Sequence, residues 1–175
     1  MLVETVRFGR LDIPNEKIVT FPQGLPGFDT LVRWCLLHQG ELLAINWLQS
    51  VEDPEVALLI ADPESLFADY NVSIDVKDLA PIGVNPQAHD KAAPPIVLRV
   101  VISVDRAAGT LTANLAAPIL INVETNLAMQ MPLLDTPYSM RQPVPVPEKP
   151  AAASAGAAPA ARLSVDASAV TNRTP

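Results

Sequence analysis

The side chains best equipped for chemistry in this chain are carboxylates in short turns. Glu52, Asp53 and Glu55 crowd one connection, and Asp62, Glu64 and Asp69 follow soon after. Two neighbouring carboxylates can act as general acid and base when their environments push their pKa values apart. Here both groups sit beside a proline, in VEDPE and ADPE, where acids ordinarily cap turns and helix starts. Other ingredients of a reactive centre are missing from the sequence. His38 and His89 are far apart and Cys35 stands alone in the apolar run VRWCLL, whereas a metal site needs several converging ligands. No G-x-S-x-G, phosphate-cradling glycine loop or Cys-x-x-Cys is present. The expectation is a protein without catalysis, cofactor or resident metal. What remains is surface. The turn acids, extended by Asp75 and Asp78, form one negative patch if their turns share a side of the fold. The amides Asn46, Gln49, Asn114 and Asn122 lie among apolar residues, where they either touch a partner or satisfy backbone groups inside the fold.

The charge balance agrees with a protein partner. The chain has 175 residues, with 19 acidic against 12 basic side chains and a formal net charge of -7. That argues against direct nucleic-acid binding and against a polybasic membrane contact, both of which draw on Lys and Arg. It suits a basic protein, since complementary charge speeds encounter and selects partners. The N-terminus MLVETVRFGR lacks the apolar core of a signal peptide, and no apolar run is long enough to cross a membrane as a helix. The expected location is the cytoplasm.

The elements that position these groups are short strands. LVETVRF, KIVTF, LVRWCLL, ELLAINWLQS and EVALLIA each carry β-forming residues bounded by turn signals. His38-Gln39-Gly40 predicts a hairpin loop between the third and fourth of these. Asp62-Pro63 opens a short helix, with Asp as N-cap and Pro at the first helical position. Residues 70–74 alternate, and Asp75 caps a helical turn that Pro81 should stop. Residues 82–95 read as a loop. Residues 96–104 form the clearest strand, with Ile96, Leu98, Val100, Ile102 and Val104 on one face. A five-residue loop returns it into TLTANLAAPILIN, two apolar runs with a bend at Pro118. Residues 127–131 form a last strand. The loop FPQGLPGF cannot continue a helix or a central strand, yet it is apolar, so its aromatics should tuck beneath the sheet. The fold class expected is all-β, a small antiparallel barrel-like fold with one or two short helices. The domain should span residues 1–142. Residues 143–175, dominated by Ala and Pro, read as a disordered tail that can be cut after Arg141 without loss of folding or binding.

Several segments together resemble one family, the bacterial flagellar assembly factor FliW. They are FPQGLPGF (21–28), WLQSVEDPEVALLIADP (47–63), FADYNVSI (67–74), TLTANLAAPILIN (110–122) and, more loosely, AMQMPLLDTPYSMRQP (128–143). The resemblance implies a barrel-like regulator that is not an enzyme. It implies binding to the RNA-binding translational regulator CsrA and to flagellin, in a partner switch that relieves repression of flagellin mRNA. The acidic turns are then the candidate contacts for CsrA. A different class of function, a small barrel holding a small molecule in its mouth, is the alternative.

Overall fold

The computed structural model describes residues 1–38, 45–85, 94–145 and 163–166. The strands are β1 (Leu2–Thr5), β2 (Gly9–Asp12), β3 (Ile18–Thr20), β4 (Arg33–His38), β5 (Ile45–Ser50), β6 (Ala57–Ala61), β7 (Val72–Asp75), β8 (Ile96–Asp105), β9 (Thr110–Ala113), β10 (Ile119–Asn122), β11 (Leu127–Gln130), β12 (Gln142–Pro143) and β13 (Leu163–Asp166). One α-helix, α1 (Pro63–Leu66), and 3-10 helices at Asn15–Lys17 and Val76–Ile82 complete the list. The loop at residues 39–44 and most of the stretch 82–95, including His89, lie outside the described residues.

Seven strands close into a barrel, in the order β10-β11-β3-β4-β5-β6-β8 and back to β10. All but one of the seams are antiparallel. β3 meets β11 in parallel, and only through Leu127 opposite Thr20. Asn126, in the left-handed region at φ 54°, makes this possible. Its carbonyl accepts from the Thr20 amide at 2.8 Å, and its side chain donates to the Glu16 carbonyl at 2.9 Å.

β8 is the long strand of the barrel. One of its edges carries β6. The other carries two shorter strands end to end, β10 against Ile96 to Arg99 and β9 against Ile102 to Asp105. The bend between them, residues 114–118, is where the sequence reading placed it. Its backbone is stitched on both sides: Asn114 donates to Val101, Leu115 to Ser139, and Met131 to the Pro118 carbonyl. Val104 departs from expectation. It shares the parity of Ile102 but is 48% exposed, because β8 there outruns every partner except β9.

Alternation along the strands divides the apolar residues into two cores. The first draws on all seven barrel strands, with Val19, Trp34, Leu48, Ile60, Val101, Ile119, Ile121 and Ala128, and fills the interior. The FPQGLPGF loop plugs it. Phe21 and Leu25 are buried, and Phe21 and Phe28 meet the Trp34 ring edge-on at 6.3 and 6.1 Å. The second core lies on the outer side of β6, β8 and β10, where Tyr70, Val72, Ile74, Leu79 and Ile82 cover Leu98, Val100 and Leu120. β10 faces both cores and is buried along its whole length. Outside β4 and β5, the β1–β2 hairpin lays Phe8 and Arg7 on Trp47.

Two boundaries differ from the sequence reading. The 3-10 helix after Asp75 runs past Pro81 to Ile82 and ends at Gly83. A proline at the last turn removes only one amide, and left-handed Gly83 closes the helix by donating to the carbonyls of Leu79 and Ala80. Backbone pairing also runs past residue 142. β12 pairs with β9, and the Val144 amide donates to Leu111. Pro143 is compatible with a strand here because β12 is an edge. Part of the stretch read as a disordered tail, Leu163–Asp166, is a strand parallel to β7; the remainder beyond residue 145 lies outside the described residues.

Truncation after Arg141 should therefore cost stability and lower the melting temperature by several degrees, whereas truncation after Pro145 should leave the barrel transition unchanged. Equal melting temperatures for the two truncations would place the domain end at Arg141.

Candidate functional site

The turn acids are not one patch. β6 makes a single pass from Glu55 to Asp62, so its five residues separate the two groups by about 17 Å. Glu52, Asp53 and Glu55 lie at one end of the barrel wall, and Asp62 and Glu64 at the other.

At the first end the charges are largely committed to structure. One Glu52 oxygen accepts from the amides of Val32 and Arg33 at 3.1 and 3.0 Å, and the other from the Arg33 guanidinium at 2.8 Å. This carboxylate pins the start of β4. Asp53 caps its own turn by accepting from the Glu55 amide at 2.9 Å. Ser50 joins them, its hydroxyl accepting from the amides of Glu52 and Asp53. Glu55 is exposed. At the other end Asp62 accepts from the Glu64 amide at 3.1 Å as the N-cap of α1, as its place before Pro63 predicts. Burial pulls the Arg99 guanidinium down from its ordinary value, and nearby Asp62 opposes that shift. Asp69 and Asp78 are exposed, and Asp75 caps the 3-10 helix at the Lys77 amide.

The amides divide in the same way. Gln49 is fully buried, and its Nε2 donates to the carbonyls of Ser50, Asp53 and Val56 at 3.0, 3.2 and 3.0 Å. It is the internal brace of the β5–β6 turn and presents no surface. Asn122 is buried too. It donates to Ile82 and accepts from the Glu124 and Thr125 amides, tying the β10–β11 turn to the 3-10 helix. Asn46, opposite Ile60, is half-buried on β5. Asn114 turns the bend by accepting from the Ala117 amide at 3.1 Å. It also lines a cavity of about 350 Å³, with Leu25, Phe28, Gln130, Pro132 and Met140.

A groove among the described residues is lined mostly by side chains that were not singled out in the sequence, Asp75 and Asp78 excepted. It measures about 750 Å³ and runs between β7 and the segment after β11, with Val72, Asp75, Met129, Met131, Leu133 and Tyr138 among its walls. A signal existed: PLLDTPYSM puts large apolar residues into a proline-bounded loop, and Leu134 and Met140 are 88% and 67% exposed. Tyr138 holds this loop to the barrel's outer cover, its hydroxyl accepting from the Asn71 amide and donating to the Asn71 carbonyl, both at 2.9 Å. Apolar grooves, exposed acids and a filled interior suit docking of a macromolecule on the outer surface.

Glu52→Ala should lower stability by about 0.5–1.5 kcal/mol, since it removes the acceptor for two amides and a guanidinium that water can reach, while Glu55→Ala should stay within about 0.5 kcal/mol. Gly24→Ala should also be costly. Its φ is +69°, and a Cβ would lie 2.6 Å from the Asp29 carbonyl oxygen, whereas nothing lies within 4 Å of a Cβ at Gly27. Denaturant midpoints for Gly24→Ala and Gly27→Ala check this; equal shifts would show that the close approach to Asp29 does not matter.

Comparison with known proteins gives one family. The profile of the FliW protein family matches residues 2–144. The flagellar assembly factor FliW of Moorella thermoacetica is 36% identical over 141 residues, covering 81% of this chain and 86% of that protein. That of Heliobacterium modesticaldum is 33% identical over 141 residues, covering 81% and 88%. A crystal structure of a flagellar assembly factor FliW superposes with a TM-score of 0.70 at 32% identity, covering 85% of this chain and 99% of that one. The sequence resemblance, the closed barrel and these matches agree: this chain belongs to the FliW family of flagellar assembly factors.

Proposed function

We propose that this protein binds a CsrA-type RNA-binding regulator and flagellin in the cytoplasm, and that exchange between them relieves repression of flagellin mRNA. The observation that carries this reading is the family match over residues 2–144. Two physical features support it. The net charge of -7 favours encounter with a basic protein over nucleic acid. The barrel interior is filled by Trp34, Phe21, Leu25 and Leu48, which leaves recognition to the outer surface and weighs against a small molecule held inside.

Of the turn acids, those that follow β6, from Asp62 to Asp78, are the better candidates for the regulator. Glu52 at the other end is already offset by Arg33 at 2.8 Å, and Asp53 is spent on its own turn. Glu64 adds charge beside Asp62 in the first turn of α1. Asp69 and Asp78 are exposed and can meet a partner without unfolding a cap.

The test mixes the purified protein with CsrA from the same organism and a labelled target RNA. Release of the RNA, and its recapture when flagellin is added, is the expected outcome. Absence of a complex with either protein by size exclusion at micromolar concentration would defeat the proposal. Asp69→Asn/Asp78→Asn should slow association with CsrA several-fold at low salt and flatten its salt dependence, while Glu55→Gln should leave both unchanged. An unaltered rate for the double variant would remove Asp69 and Asp78 from the interface.

A further inference from the structure

β7 is a strand with an unusual partner. It stands outside the barrel and, among the described residues, forms a ladder only with β13, from a stretch nearly ninety positions later. The register matches residue types. Leu163 falls beside Val72 and Val165 beside Ile74, while Ser164 falls beside Ser73 and Asp166 beside Asp75. Val72 and Ile74 are 3% exposed and belong to the outer core, so one face of β7 is anchored. Its start is held by the two hydrogen bonds between Asn71 and Tyr138. Beside it runs the groove walled by Met129, Met131 and Leu133.

The sequence beyond the barrel offers few segments that could fill such a position. AAASAGAAPAA before β13 and ASAVTNRTP after it lack an apolar alternation with large side chains, whereas LSVD has one. Residues 146–162 can span up to about 60 Å at about 3.5 Å per residue, which does not restrict where the segment reaches. The tether also holds the segment at an effective concentration of order millimolar, enough to seat a short strand that would bind weakly on its own. Four residue pairs make a short ladder. The seat is thus occupied through four residue pairs.

We propose that the edge of β7 is a strand-acceptor site, and that this chain's own Leu163–Asp166 occupies it in cis. The recognition is backbone hydrogen bonding along β7, with alternate apolar residues setting the register. A partner segment that docks by strand addition at this edge must first displace the chain's own strand. This inference stands apart from the choice of CsrA and flagellin, because it concerns the chain alone.

The test uses the full chain and its variant Ser164→Pro/Val165→Pro, which removes two consecutive amides and so breaks the ladder whichever of them faces β7. Amide hydrogen exchange at Ser73 to Asp75 should be at least tenfold faster in the variant, with barrel strands such as β10 unchanged. A labelled peptide of residues 161–168 should bind the variant and be excluded by the parent chain. Equal exchange rates in the two proteins, or a peptide that binds neither, overturns the proposal. Protection that rises with protein concentration assigns the strand to a second copy of the chain, and overturns occupancy in cis.

Discussion

A ten-residue strand in a barrel of three- to six-residue strands must find a partner for the whole of one edge. Much of this fold follows from how β8 meets that demand. β9 and β10 divide the edge between them, and the chain must break for residues 114–118 without leaving buried backbone groups unpaired. Asn114 supplies one acceptor inside the break, and neighbouring segments supply the rest, from Ser139 to Gln130 donating to Ala117. Pro118 contributes by having no amide to satisfy at a point where a continuous ladder would need one. β10 then lies between two cores, which is why its four residues are buried on both faces.

Local signals were legible in the sequence. The strict alternation of residues 96–102 gives both faces of β8, and Asp62-Pro63 gives the start of α1 because cap and proline act within one turn. The buried aromatics of residues 21–28 could be read as well, since a proline- and glycine-rich loop with two phenylalanines has nowhere apolar to go except beneath the sheet. Interactions set by tertiary neighbours were not legible. Glu52 reaches amides nineteen and twenty positions back, and no periodicity announces that pairing. Gln49 reads as an anomaly within a strand, but only the folded turn shows that three carbonyls converge on its amide.

The acidic turns illustrate a geometric point that composition hides. Successive turns of a meander alternate ends, so acids close in sequence can be separated by the full length of a strand. A count of negative residues therefore overstates any local field. Here capping and ion pairing divide the carboxylates further, into those that hold the chain in place and those left to act at a distance. Function of the surface and stability of the fold draw on the same residue type, distinguished only by what each carboxylate touches.

The parallel seam between β3 and β11 has a consequence for the order in which the barrel assembles. The other seams of the ring from β3 to β6 join neighbours in sequence, and so does the β10–β11 turn, so each can form at small entropic cost. The seam at Thr20 and Leu127 closes a loop of roughly a hundred residues in return for a single pair. It gains little until the strands on both sides are in place and the Phe21 plug has found Trp34. Ring closure is then a late, cooperative event, sealed by burial of the plug more than by its own hydrogen bond. The aromatic loop is in this sense the latch of the barrel.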